Sequence, residues 1–244
     1  MQNSNEKYQN DIAIVLGNGP SVDQLNPALL DGIRVFGTNS IFKKYSDWRR
    51  SLSDVVITDF FRLHEIGSAY AAFPETRLHI GVHPAILPRA SLIKSIVKRD
   101  FIPIRQYARP FFRRIKTFQH VHWSDRMRAI VFDKLQFSLD PEVGFNFGRS
   151  VVTASIAIAA QFKPKRILIS GIDARYRSGQ DYFSGMSVDY VNHDFIKNPR
   201  AQMEPFLAMA RVALEDRGIE LIDCTPSGAI TCLRKSSFEA EISK

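Results

Sequence analysis

Cysteine is scarce: Cys224 and Cys232 are the only two in 244 residues. Two are too few for a disulfide framework, and no neighbouring Cys or His supplies the spacing of a zinc site. A reducing compartment, the cytoplasm, is the expectation. Long apolar runs are missing as well. The longest, Ser150 to Gln161, falls well short of the roughly 20 residues that a membrane-spanning helix needs, and the polar N-terminus does not resemble a secretion signal. No G-x-x-x-x-G-K-[ST] is present, Pro20 interrupts the G-x-G-x-x-G pattern, and no D-x-D triplet occurs. Those absences argue against a P-loop ATP site, a dinucleotide site and a metal-bridged nucleotide-sugar site. Acidic residues are in the minority, 25 against 33 Lys and Arg for a net charge of +8, which favours an anionic partner without choosing one.

What is present is a globular composition, 45% apolar and 24% charged, long enough for one large α/β domain. Residues 1–10 read as a flexible leader. Asp11 to Gly17 (D-I-A-I-V-L-G) is apolar on both faces, as a buried parallel strand requires. Gly17-Asn18-Gly19-Pro20-Ser21 follows, and Val22, Leu25, Leu29 and Leu30 then recur at helical spacing, with Ser21 placed to cap the helix. Ile33 to Thr38 and Asp54 to Thr58 read as further strands, ending at Asn39 and Asp59; Arg77 to Val82 is a fourth, and Pro88 to Val97 a helix. From 94 to about 128, basic residues alternate with aromatics, and the stretch reads as an insertion. Ser150 to Gln161 is an Ala-rich helix, Arg166 to Ser170 a strand, and Gly171-Ile172-Asp173 a turn. A polar, aromatic loop over about 174–198 reads as a lid; Pro199 then opens a helix to about Arg217, and Ile219 to Cys224 is a last strand.

Alternating strands and helices predict a doubly wound, Rossmann-like parallel sheet in a single domain spanning 1–244, with ligands outside the carboxyl ends of its strands. Gly17 to Ser21, Asn39, Asp59 and the Gly171 turn should converge there. Gly-Asn-Gly lets backbone approach a phosphate, although an ordinary tight turn has the same composition. Asn39 could donate its amide to a nucleotide or sugar, or cap a helix. Asp59 would repel an anion unless it held a metal or a hydroxyl, and it too could be a cap. Tyr176, Tyr182, Tyr190 and His193 gather polar rings on the lid loop. A tyrosine can donate to a departing phosphate without adding charge, and a histidine can take a proton from a hydroxyl.

The order and spacing of Gly17-Asn18-Gly19-Pro20-Ser21, Val35-Phe36-Gly37-Thr38-Asn39, Ser170-Gly171-Ile172-Asp173 with Tyr176 and Tyr182, and Tyr190-Val191-Asn192-His193 resemble glycosyltransferase family 42, the bacterial sialyltransferases. The resemblance runs from about Asp11 to Pro226 and is poor across the basic middle. It implies an inverting transfer from CMP-sialic acid to a glycan hydroxyl, with no metal and no cofactor beyond the donor substrate. Carried across, His193 is the base, Tyr176 and Tyr182 bond the leaving phosphate, and Tyr190 shapes the site. Asn18 and Asn39 match donor-contacting asparagines, and Ser170 to Asp173 match the turn against the nucleotide. Two positions depart from the pattern. Asp59 stands where the family has a third asparagine, and Arg149 and Ser150 are shifted in register from the Arg and Ser that precede the Ala-rich helix. Another nonulosonic donor such as CMP-Kdo therefore stays open.

The G-x-G-P-S start and the Gly-x-Asp turn are also similar to those of the hydroxymethylpterin pyrophosphokinases and the related motility-associated glycosyltransferase-like proteins, which implies magnesium at Asp59 and Asp173. A basic nucleic-acid-binding domain built on 94–128 is the non-enzymatic alternative, although no nucleic acid is expected if the sugar-transfer reading holds. That reading instead expects a CMP-sugar donor, a glycan acceptor that is lipid-linked in a cell-surface pathway, peripheral contact of the basic stretch with anionic membrane, and room for a homo-oligomer.

Overall fold

The first apolar run does become a strand, buried on both faces because its neighbours and two helical layers enclose it. The computed structural model describes residues 8–82, 90–105, 119–124, 127–132, 135–140, 150–175, 182–184 and 197–243. Among these the strands are, in chain order, β1 (Gln9–Leu16), β2 (Ile33–Thr38), β3 (Asp54–Ile57), β4 (Arg77–Val82), β5 (Ile102–Arg105), β6 (Gln119–Ser124), β7 (Met127–Phe132), β8 (Leu135–Phe137), β9 (Arg166–Ser170), β10 (Glu220–Asp223) and β11 (Arg234–Lys235). The helices are α1 (Tyr45–Trp48), α2 (Phe60–Ile66), α3 (Ala90–Val97), α4 (Val151–Ala160), α5 (Pro199–Glu215) and α6 (Phe238–Ile242).

Eight strands form one sheet in the order β11-β10-β9-β1-β2-β3-β4-β5, and every adjacent pair is parallel. This is the doubly wound α/β architecture that the sequence predicts. Alternation within β1 divides the interior. Ala13 and Val15 join Phe36, Val56, Ile167 and Ile169 in the layer under α4 and α5, whereas Ile12, Ile14 and Leu16 face Val35, Val55, Ile57 and Leu168 on the other side. The alanines of α4 let that helix lie close to β1, β2 and β3, so Val152 to Ala160 are all buried.

A second, antiparallel sheet, β6-β7-β8, packs through β7 and β8 on α5. The basic, aromatic stretch therefore contributes regular structure at both of its ends. Its first residues complete α3 and supply the edge strand β5, which pairs with β4, and its later ones form β6. Residues 106–118, with many of its cations and rings, lie outside the described residues, as do 1–7 of the leader. Among the described residues, no helix is long and apolar enough to cross a membrane.

One expectation is corrected. The helix predicted after β1 is two short 3-10 turns, Pro20–Gln24 and Pro27–Leu30. Pro27 has no N–H for the carbonyl four residues back, and its ring clashes there, so a helix started at Pro20 cannot pass it. Ser21 is accordingly not a side-chain cap; Gly19 holds the cap position and makes no side-chain bond.

Candidate functional site

The chain moves from β1 outward through β2 to β5 and later returns to place β9 on the other flank of β1. The carboxyl ends of β1 and β9 thus form the switch point at which such sheets bind ligands. Two turns meet there and are bonded to each other. The Gly17 amide donates to the Ser170 carbonyl at 2.8 Å and the Gly19 amide to the Gly171 carbonyl at 2.9 Å. The Ser21 hydroxyl donates to Asp173 Oδ2 at 2.9 Å, and the Ser21 amide also points at that carboxylate.

This contact explains the glycines without a ligand. A Cβ at Gly17 would lie 2.3 Å from the Gly171 oxygen, and one at Gly19 1.9 Å from Asp173 Oδ2. Gly171 has a φ of +72° and leaves no room beside Val22. The amides of Gly17, Gly19 and Ser21 are engaged by the turn after β9. The 3-10 turn that follows is also too short to act as an extended helix terminus aimed at phosphate. Ile172 is buried, and its amide reaches Thr225 Oγ1 at 3.4 Å.

Polar atoms without partners lie one residue away on each strand. Asn18 Nδ2 donates to Thr38 Oγ1 at 3.0 Å, and that hydroxyl donates to the Leu16 carbonyl at 3.0 Å, which fixes the amide between the ends of β1 and β2. Asn18 Oδ1 and Asn39 Oδ1 are both buried with no hydrogen-bond partner among the described residues. Asn39 adopts a φ of 42°, a left-handed conformation that Asn tolerates better than most residues. Its carbonyl accepts from the Tyr70 hydroxyl. Burial raises the Tyr70 phenol well above its ordinary pKa, so it is a steady donor. No local pattern around Tyr70 announces this role, because the contact spans 31 positions.

Asp59 and Ser150 are helix caps. Asp59 Oδ1 accepts from Phe61 N at 2.8 Å and Arg62 N at 3.4 Å at the start of α2, and the residue is exposed at the end of β3. Ser150 Oγ accepts from Val152 N at 3.3 Å. The N-terminus of α4 stands at the carboxyl edge of the sheet, since the helix must run back to feed β9 at its amino end. Burial raises the Asp173 carboxyl above its ordinary pKa, and the neighbouring Asp223 adds to that effect against the lowering bonds from Ser21. Among the described residues, no three His, Cys, Asp or Glu side chains gather as a metal ion would need.

Of the lid residues, Tyr182 is described and partly buried, whereas Tyr176, Tyr190 and His193 lie outside the described residues, as does Arg149 ahead of α4. The three residues 182–184 are held firmly. Phe183 is 1% exposed, its amide donates to the Asn18 carbonyl at 3.1 Å, and Ser184 meets Asp23 and Lys44. Sequence reasoning gave Asp23 and Lys44 no role.

His79 is another omission. Its Nε2 lies 2.8 Å from Asp54 Oδ1, and Arg77 bonds the other oxygen at 2.8 Å. Asp54 and Arg77 begin their strands, so this cluster occupies the amino edge of the sheet, away from the switch point. Burial alone would raise the Asp54 carboxyl, but the bonds and charges of His79 and Arg77 outweigh it and hold the carboxyl below its ordinary pKa.

A solved structure shares this fold. It is the MAf glycosyltransferase from Magnetospirillum magneticum AMB-1, with a TM-score of 0.53 and 13% identity over 96% of this chain. The chain spans about a third of that protein, 34% of its length. No family model and no curated protein matches the chain.

Proposed function

We propose that the protein is a glycosyltransferase that moves sialic acid, or a related nonulosonic acid, from a CMP-sugar to a glycan hydroxyl. The observation that carries the reading is the pair of buried acceptors, Asn18 Oδ1 and Asn39 Oδ1, unpartnered on adjacent strand ends at the switch point. A buried amide oxygen without a partner costs roughly 1–3 kcal/mol, and a ligand with N–H or O–H donors, as cytosine and ribose have, relieves that cost. A glycosyltransferase among solved structures of this fold supports the class.

In this reaction the acceptor oxygen bonds to the anomeric carbon as the bond from that carbon to the phosphate oxygen breaks, with inversion and without metal. The hydroxyl proton passes to His193, and CMP departs with its phosphate bonded by Tyr176 and Tyr182, while Tyr190 shapes the pocket. Arg149 and Ser150 meet the sugar carboxylate, and Asp59 accepts from a hydroxyl. The acceptor is a lipid-linked glycan, reached by a peripheral, cytoplasmic enzyme through its basic stretch.

The test is a thermal-shift screen with CMP, CDP, UDP, ATP and a hydroxymethylpterin, each with magnesium and with EDTA. CMP in EDTA should stabilise the protein, by about 2.7 kcal/mol at a hundredfold excess over Kd. Stabilisation by ATP and pterin with magnesium, and none by CMP, would replace this reading with a pyrophosphokinase.

A further inference from the structure

The turns after β1 and β2 carry an ion pair, its ammonium buried and its carboxylate at the surface, that none of the foregoing chemistry uses. Lys44 is 5% exposed. Its ammonium lies 2.5 Å from Asp23 Oδ1 and 3.5 Å from Asp47 Oδ2, donates to Ser184 Oγ at 2.9 Å, and stands 5.3 Å from the centre of the Phe183 ring. Both oxygens of Asp23 meet the same distant segment. Oδ2 accepts from the Ser184 amide at 2.8 Å, and Oδ1 from the Ser184 hydroxyl at 3.0 Å. A single serine, far away in the chain, thus joins a carboxylate and an ammonium supplied by two different turns.

We propose that Asp23 and Lys44 are positioning residues that clamp Phe183 and Ser184 across the turns after β1 and β2, and so set where Tyr182 stands relative to Asn18. An exposed ion pair contributes little, but burying an ammonium is costly unless partners surround it. Here the partners include a hydroxyl and an aromatic ring of the clamped segment. Moving residues 182–184 away strips Lys44 of its ring contact and its serine, and leaves Asp23 without the Ser184 amide. The Asp23 carboxyl is held below its ordinary pKa: burial would raise it, and the bonds from Lys44 and Ser184 outweigh that. It therefore stays ionised at neutral pH.

The clamp also reaches the candidate site through one residue. The Asn18 carbonyl accepts from Phe183, while the Asn18 side chain carries one of the two unpartnered oxygens. A ligand that engages the Asn18 amide therefore orders the residue on which Phe183 rests. What Tyr182 does to that ligand rests on the proposed sugar transfer; the clamp itself does not.

Hydrogen exchange read by mass spectrometry on the full chain separates the two. In Asp23→Ala, Lys44→Met and Ser184→Ala, exchange at Phe183 and Ser184 should rise by about tenfold or more, with β1 and β9 unchanged, as expected for loss of a local closing interaction. Lys44→Arg should restore protection. Ser184 is exposed, so its variant folds even if the Lys44 variant does not. With CMP-sialic acid, turnover should fall by about tenfold in Asp23→Ala while CMP affinity stays within about threefold, because Tyr182 acts on charge that grows in the transition state. Unchanged exchange in Asp23→Ala and Ser184→Ala would overturn the clamp. Absence of transfer by the wild type would overturn the sugar-transfer reading, and the exchange result would still decide the clamp.

Discussion

The hydroxyl of Ser21 donates to the carboxylate of Asp173 at 2.9 Å across 152 positions of sequence, tying the turn after β1 to the turn after β9. A hydrogen bond to a charged acceptor contributes about 1.5–3 kcal/mol. Ser21→Ala and Asp173→Ala should each destabilise on that scale. Because both remove the same contact, the double variant should cost less than the sum, with a coupling of about 1 kcal/mol in urea unfolding. Strict additivity would mean that the two turns are held by their backbone bonds alone.

Gly17→Ala and Gly19→Ala test whether these glycines serve packing. A Cβ at either position meets the Gly171 oxygen or the Asp173 carboxylate, and overpacking costs about 1–3 kcal/mol. Gly218 has a φ of +69° and open space around its Cβ, so Gly218→Ala should cost only the left-handed strain of roughly 1–2 kcal/mol. Gly17→Ala and Gly19→Ala should both cost more than Gly218→Ala, because at 2.3 and 2.7 Å each Cβ meets the Gly171 oxygen, which is backbone and cannot swing aside. The comparison is made by chemical denaturation of all three variants.

Asp54 and Asp173 should give acid stability of opposite sign. The Asp54 carboxyl is lowered in the fold, since His79 and Arg77 outweigh burial. Its contribution is present above the unfolded value of about 3.9 and is lost as pH falls through the lower folded value. The Asp173 carboxyl is raised, first by burial. Its contribution is present below the unfolded value and is lost as pH rises through the folded one. Denaturation midpoints from pH 3 to 7 should therefore show a weaker acid loss in Asp54→Asn and a steeper one in Asp173→Asn than in wild type. Asp54→Asn should itself cost about 3 kcal/mol at neutral pH, because it breaks a pair at a buried position and leaves the buried His79 and the half-buried Arg77 without their carboxylate.

Both thiols should resist labelling. Burial pushes Cys224 up to about 12, and Cys232 up to about 11, so each is protonated at pH 8, and the thiolate is the reactive species. Ellman's reagent should react with the native chain far more slowly than with the urea-unfolded chain. Rapid reaction of two thiols in the native state would show that the segment between β10 and β11 opens readily.

The six inner strands of the central sheet were legible in the sequence because burial on both faces requires uninterrupted apolar runs, and D-I-A-I-V-L or I-R-V-F-G-T meets that requirement locally; the edge strands β5 and β11, short and without such a run, were not. That the sheet is parallel and doubly wound followed from the alternation of strands and helices, whereas its order did not; a cap was one of two readings open to Asp59, and Ser150, read as a donor contact, caps α4. The helix expected after β1 failed where apolar spacing, a weak periodic signal, met Pro27, a hard steric one. What only the tertiary structure decided was the use of each polar group. Gly17 and Gly19 resemble a phosphate loop in sequence, yet they are glycines because a second turn lies against them. Ser21 has the type of a cap and instead holds Asp173. His79 has Asp54 and Arg77 as partners on neighbouring strands, and Asp23 and Lys44 meet at Ser184. These contacts join residues far apart in the chain, where no spacing rule applies, and their energies come from desolvation and hydrogen-bond geometry that exist only once the sheet has brought the ends together.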